Sequence, residues 1–198
     1  MKKLLLLFCL LPILAATGFA QESRQDASIS YLGTYQPTIT GNAVTQTSDW
    51  GKGVLLSYRF MLTPSSAIEG NYSYSQFNTK FTAPFTNSMF HSSLQEGSVA
   101  YVRSFVYKKF NPFAEAGAAM LLFGPINDTG TNTNAGTRTK ANALLIGGGI
   151  AYELSPSWDL RVQYRGEVFK SIDFGIPQYT TNRWYVMQQP AIGFAYHF

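Results

Sequence analysis

The sequence has 198 residues, of which 45% are hydrophobic, 15% aromatic and only 13% charged, against about 25% charged in an ordinary soluble domain. That length allows one domain or two small ones, and the hydrophobic fraction excludes a disordered chain. The formal net charge of +4 comes from 15 basic and 11 acidic residues scattered singly, with Lys108-Lys109 the only basic pair after the N-terminus, which leaves no basic stripe for nucleic acid.

Met1-Lys2-Lys3, the apolar run 4–14 and the small residues Gly18 and Ala20 read as a secretory signal peptide over residues 1–20, cleaved after Ala20. Cys9, the single cysteine, leaves with it. Disulfides, thiolate metal sites and Cys nucleophiles are thereby excluded from residues 21–198. No later stretch approaches 18 apolar residues, so a membrane could be crossed only by strands.

The remainder alternates with period two. A first strand is predicted over 28–36, then a long connection over 37–49. Val54, Leu56, Tyr58 and Phe60 alternate with Gly53, Leu55, Ser57 and Arg59; Ile68, Gly70, Tyr72 and Tyr74 alternate with Glu69, Asn71, Ser73 and Ser75. Thr63-Pro64-Ser65-Ser66 turns the chain between these two strands. A long connection over 78–93 follows, with Phe81, Phe85, Met89 and Phe90 giving it an apolar content suited to extended strands or to a contact patch. Strands over 94–108 and 113–123 are joined by Phe110-Asn111-Pro112, and the polar connection 125–140 is expected to be mobile. Strands over 142–154 and 158–169 are joined by Ser155-Pro156-Ser157, and 170–182 leads to the last strand, 185–198.

Short and long connections alternate throughout. This predicts an all-β fold, an eight-stranded antiparallel up-and-down β-barrel over 21–198 with both ends of the chain on the short-turn side. Three features turn the apolar face outward, toward lipid. The polar faces carry Ser, Asn, Gly and Ala with isolated charges, not the Lys and Glu of a wetted exterior. Gly117, Ala119, Gly147, Gly149 and Ala151 suit a narrow lumen. Trp50, Tyr58, Phe60, Tyr72, Tyr74, Phe123, Tyr152, Trp158, Phe169 and Trp184 crowd strand ends, where two interfacial girdles would lie.

The final eight residues alternate and end on Phe198. Gly193, Tyr196 and Phe198 resemble the C-terminal sorting signal of bacterial outer-membrane barrels, although Ala191 stands where that signal has a polar residue. The barrel region as a whole resembles the small outer-membrane β-barrel family that includes the OmpX-like, opacity-type and OmpA transmembrane barrels. The resemblance implies a monomer in the outer membrane of a Gram-negative bacterium, in contact with outer-membrane lipid and lipopolysaccharide and inserted by the barrel-assembly machinery, which reads the signal by strand pairing. It brings no cofactor.

Parity puts Arg59, Glu69, Glu115, Arg161, Arg165 and Glu167 inside the barrel, with Glu153 joining them. Arg103 is placed inside too, since lipid exposure at the midplane costs about 2–4 kcal/mol. Eight strands leave room only for side chains, so these charges are expected to plug the lumen; the alternative is a narrow ion or proton path.

Catalysis has little support. His91-Ser92-Ser93 faintly resembles the spacing of outer-membrane lipid A deacylases but sits in a loop, and His197 has no Ser or acid near it in sequence. No catalytic or metal-ligand set is identifiable. Function is expected in the long external connections, as adhesion, receptor or surface-protection roles through a host or surface ligand.

Overall fold

The computed structural model describes residues 25–84, 86–126 and 137–198. The leader expected over 1–20 and most of the connection expected to be mobile lie outside these residues.

Period-two alternation buries one side of every long strand. Ten strands form one sheet: β1 (Gln25–Thr34), β2 (Ile39–Gly41), β3 (Val44–Ser48), β4 (Gly51–Thr63), β5 (Ser66–Ala83), β6 (Thr86–Ser104), β7 (Phe110–Ile126), β8 (Thr139–Ser155), β9 (Trp158–Lys170) and β10 (Trp184–His197). All pairings are antiparallel. β1 pairs with both β4 and β10, and β5 pairs with β6, so eight of the strands close into a barrel. The strands β2 and β3 form a small hairpin in the first long connection. β3 pairs with the end of β5, Ser48 opposite Thr79, where β4 has not yet begun.

The wall is uneven in height. A membrane strand needs about 9–11 residues, which β1 with 10, β9 with 13 and β10 with 14 modestly meet. β5 and β6 have 18 and 19 residues, and β7 and β8 have 17 each. The expected connection 78–93 is thus two continuing strands, β5 running to Ala83 and β6 starting at Thr86, the first of the two alternatives its apolar content allowed. At about 3.3 Å per residue the β5–β6 hairpin stands roughly 25 Å beyond a membrane-spanning length.

The turn expected at Phe110-Asn111-Pro112 lies earlier. Tyr107 and Phe110 bridge the turn, and Lys108 takes a φ of 54°. Pro112 is inside β7, opposite Ile150, at the rim where β6 has ended; its carbonyl accepts from Phe105, and its missing N–H costs only the last rung.

The outward face is apolar, as the alternation requires: Leu56, Tyr72, Val99, Ile146, Val162 and Ile192 are all about half exposed or more. At the short-turn end girdle aromatics touch in a row, with Tyr58 against Phe198, Phe198 against Tyr196 and Tyr196 against Trp158, at centroid distances of 6.3, 6.2 and 5.1 Å. Two expected girdle residues are not in it. Phe123 and Phe169 are fully buried inside the barrel, because they share the parity of Glu115 and Glu167 on their own strands.

Candidate functional site

One strand displays the lumen from bottom to top. Along β9 the inward residues are Asp159, Arg161, Gln163, Arg165, Glu167 and Phe169, each 6% exposed or less. Charge occupies the short-turn half and the middle, and aromatic carbon the long-loop end.

The lower charge layer joins four strands. Arg59 of β4 lies 2.6 Å from Glu69 of β5 through Nη2, and Nε donates to the same carboxylate at 2.7 Å. Arg161 of β9 pairs through Nη2 with Asp26 of β1 at 3.1 Å and approaches Glu69 at 3.6 Å. Both guanidiniums face the ring of Phe113, at 4.8 and 5.9 Å. Two cations meet two acids, and the layer is neutral. At the rim below it, His197 Nε2 lies 2.8 Å from Asp159 Oδ2.

The middle layer centres on Arg165. Its Nη2 lies 2.5 Å from Glu96 Oε1 and donates to Ser98 Oγ at 3.0 Å; its Nη1 donates to Gln189 Oε1 at 3.2 Å. Ser73 and Ser98 donate to Glu96 at 2.9 and 2.8 Å. Glu115 stands 3.6 Å from Arg165 Nε, and Glu167 accepts a long bond of 3.5 Å from Gln189. Three carboxyls thus surround one guanidinium.

Above this layer the lumen is closed by apolar side chains. Phe81 stacks on Tyr179 at 5.0 Å and Phe90 on Phe174 at 5.2 Å; Phe77, Phe123, Phe169 and Met187 belong to the same cluster. Phe174 and Tyr179 arrive from the last long connection, which folds inward. Asp173 accepts from Gly175 N and Thr180 Oγ1, and Phe174 and Gly175 both take positive φ, 53° and 76°. The Tyr179 hydroxyl lies 2.6 Å from Ser88 Oγ.

Of the residues placed inside by parity, Arg59, Glu69, Glu115, Arg161, Arg165 and Glu167 are buried within these two layers. Glu153 is half-buried at the short-turn rim, outside them. Arg103 is a correction: it is exposed and points outward, with Val102 taking the inward place, and its Nη1 donates to Ser66 Oγ at 2.8 Å. One residue from the end of β6, it lies at the rim, where an outward charge costs only about 0–1 kcal/mol and the midplane penalty does not apply. The apolar contact patch also fails in part. Phe81 and Phe90 turn inward, Phe85 lies outside the described residues, and Met89 is exposed.

Sequence reasoning missed Asp26, Glu96 and Gln189. Asp26 precedes the expected start of the first strand; Glu96 sits where both faces of the strand are mixed in polarity; Gln189 carries no charge to attract notice. Parity from Ser98 would have found Glu96.

At the seam, Gly193 of β10 opposes Ser30 of β1 and faces inward. A Cβ there would collide with the Ile29 carbonyl and with Ser30, so only glycine lets these two strands close. Tyr196 and Phe198, the other two residues of the terminal motif, stand in the outer girdle.

No curated protein matches this sequence. Solved barrels do share the fold. The outer membrane protein OprG from Pseudomonas aeruginosa superposes with a TM-score of 0.61 at 13% identity, over 90% of this chain and 97% of that one. Neisserial surface protein A gives 0.61 at 13%, over 89% and 98%. Ail, the attachment invasion locus protein of Yersinia pestis, solved with the heparin analogue sucrose octasulfate, gives 0.54 at 13%, over 90% and 100%. The sequence itself matches the family described as outer membrane protein beta-barrel domain over residues 6–198. With an apolar girdled exterior, a closed eight-stranded wall and that match, the chain belongs to the outer membrane β-barrel family, and its place is the bacterial outer membrane.

Proposed function

We propose that this barrel does not conduct and is not an enzyme, and that it presents a surface outward from the membrane for adhesion or other surface contacts. One observation carries the reading: the lumen is filled twice over, by the ion-paired layers around Arg161 and Arg165 and by the aromatic cluster above them. Activity then belongs to the raised β5–β6 hairpin and its neighbours. The same fold in Ail, an attachment protein solved with a heparin analogue, supports a contact role for a barrel of this size. Insertion follows the strand-pairing route of the terminal signal, with Gly193, Tyr196 and Phe198 read by the barrel-assembly machinery, and the protein acts as a monomer.

The competing reading, a narrow ion or proton path, draws on the three carboxyls around Arg165. Planar-bilayer recordings separate the two: the purified protein is expected to match a lipid-only control, and stepwise conductance above it would overturn the closed lumen. For the surface role, exposed Thr82, Asn87 and Met89 are replaced by Ser while inward Phe81, Ser88 and Phe90 are kept. Binding of expressing cells to host matrix is expected to fall. Unchanged binding at equal surface levels would overturn the contact role.

A further inference from the structure

The two polar layers of the lumen differ in their charge balance. In the lower one Arg59 and Arg161 face Asp26 and Glu69, and the charges cancel. In the middle one Glu96, Glu115 and Glu167 face Arg165 alone, and all four side chains are buried. Fully ionised, three acids against one base would leave the middle of the barrel with unpaired negative charge, which a dry interior holds only at great cost.

The geometry locates where that excess is relieved. Arg165 forms ion pairs with Glu96 at 2.5 Å and with Glu115 at 3.6 Å, and with Glu167 it forms none among the described residues. Glu167 turns to Glu96 instead. The Nε2 of Gln189 reaches both, 3.3 Å from Glu96 Oε2 and 3.5 Å from Glu167 Oε2, and the two carboxyls are hydrogen-bonded to each other. Two carboxylates offer acceptors only, so a hydrogen bond between them requires a proton on one. Glu96 already accepts from Ser73, Ser98 and Arg165, which makes it the ionised member and Glu167 the donor.

Nothing else nearby supplies the missing positive charge. The titratable and charged groups around Glu167 are Glu96 of β6, Glu115 of β7, Arg165 of β9 and Tyr185 of β10; β8 sets Leu145 opposite it, and β5 contributes the Ser73 hydroxyl. No group of three acids or histidines suited to a metal ion occurs among the described residues. We propose that Glu96 and Glu167 form a proton-binding site in the folded barrel, holding one proton between them as a carboxyl–carboxylate pair that ties the stability of the barrel to pH. The proposal rests on the closed-lumen reading in one respect, that the proton is stored and not passed along. Its loss would set two carboxylates against each other across the lumen, beside a guanidinium already engaged by Glu115.

The test uses the full barrel refolded in detergent micelles. Infrared spectra separate the carbonyl stretch of a protonated carboxyl from the stretches of carboxylates. At neutral pH wild type is expected to show that band, and Glu167→Gln, whose amide N–H takes the place of the proton, is expected to lose part of it. Urea unfolding from about pH 6 to about pH 8 gives an independent reading. The unfolded chain ionises Glu167 and the folded barrel does not, so unfolding releases a proton. The unfolding equilibrium constant of wild type is expected to rise more steeply with pH than that of Glu167→Gln, by up to about ten-fold per pH unit. His197, paired with Asp159 at the rim, titrates in the same range but is common to both proteins and cancels in the comparison. An unchanged carboxyl band or parallel pH profiles would overturn the site. So would a difference that follows sodium concentration at constant ionic strength, which would assign the pair to a bound cation. If Glu167→Gln gave no heat-modifiable folded band, wild type alone decides, and absence of any protonated-carboxyl band would overturn the proposal. Stepwise conductance with band and pH profile as expected would overturn the closed lumen and leave the proton in place.

Discussion

Arg165 and Glu96 meet across the lumen from strands separated by two others, with Nη2 2.5 Å from Oε1 and both side chains fully buried or nearly so. The pair ties opposite parts of the wall together at its middle. Removing one partner leaves the other charge buried and unpaired, at a cost of about 3–5 kcal/mol. Glu96→Ala is therefore expected to lower the unfolding free energy of the refolded barrel by that amount, seen as a lower urea midpoint by tryptophan fluorescence. A midpoint within error of wild type would show that Arg165 finds compensation elsewhere.

Glu167 is expected to behave differently. It stands among two other carboxyls, shares a side-chain hydrogen bond with one of them, Glu96, and accepts a 3.5 Å bond from Gln189. Glu167→Gln keeps a hydrogen-bonding group there and removes one like charge, so stability is expected to stay within about 1 kcal/mol of wild type. A loss comparable to that of Glu96→Ala would mean that Glu167 is a structural partner of Arg165.

Gly147 makes room for Glu115. A Cβ at position 147 would collide with Glu115 Oε1 and would come within 2.9 Å of the Tyr164 carbonyl. Overfilling a packed interior costs about 1–3 kcal/mol. Gly147→Val is expected to show that loss, and addition of Glu115→Ala is expected to recover part of it in a double-mutant cycle. Strict additivity would argue that the Tyr164 carbonyl alone sets the cost.

The seam makes its own demand. Because no side chain fits between Gly193 and Ser30, Gly193→Val is expected to prevent β1 and β10 from closing. Whole-cell samples run without boiling should lose most of the fast-migrating folded band. Retention of that band at wild-type strength would show that the seam can shift register.

Facing can be measured residue by residue, since Cys9 is the single native cysteine. Val162→Cys is expected to react with a lipid-phase maleimide, because Val162 is half exposed on the outer wall; Gln163→Cys, in the buried interior, is expected to be protected from it. Arg103→Cys is expected to react with a water-soluble reagent at the rim. Reaction of residue 163 with the lipid-phase reagent would invert the assigned faces.

Much of the barrel was legible because a β-strand in a membrane separates two media. That requirement writes itself into alternate residues, and so Val162 and Gln163, or Glu115 and Ala116, could be assigned to opposite faces one residue at a time. Prolines beside serines marked two of the three tight turns. The third was misread because Pro112 is tolerated inside a strand at a barrel rim, where its missing N–H has almost no partner to lose.

The low charge content thus followed from sequence alone: strands that face lipid admit few charges, and Arg59, Glu69, Glu115, Arg161, Arg165 and Glu167 fall on the inward parity. Depth and partnership did not follow. Alternation specifies a face but carries no information about how far along the barrel axis a residue lies. For that reason Arg103, at the rim, was assigned the cost of a midplane charge; Phe123 and Phe169, by contrast, share the parity of Glu115 and Glu167, and face alone would have separated them from girdle aromatics. Only the closed wall, which brings residues 69 positions apart to within hydrogen-bonding distance, decided that charge fills the lower lumen and aromatic rings seal the upper.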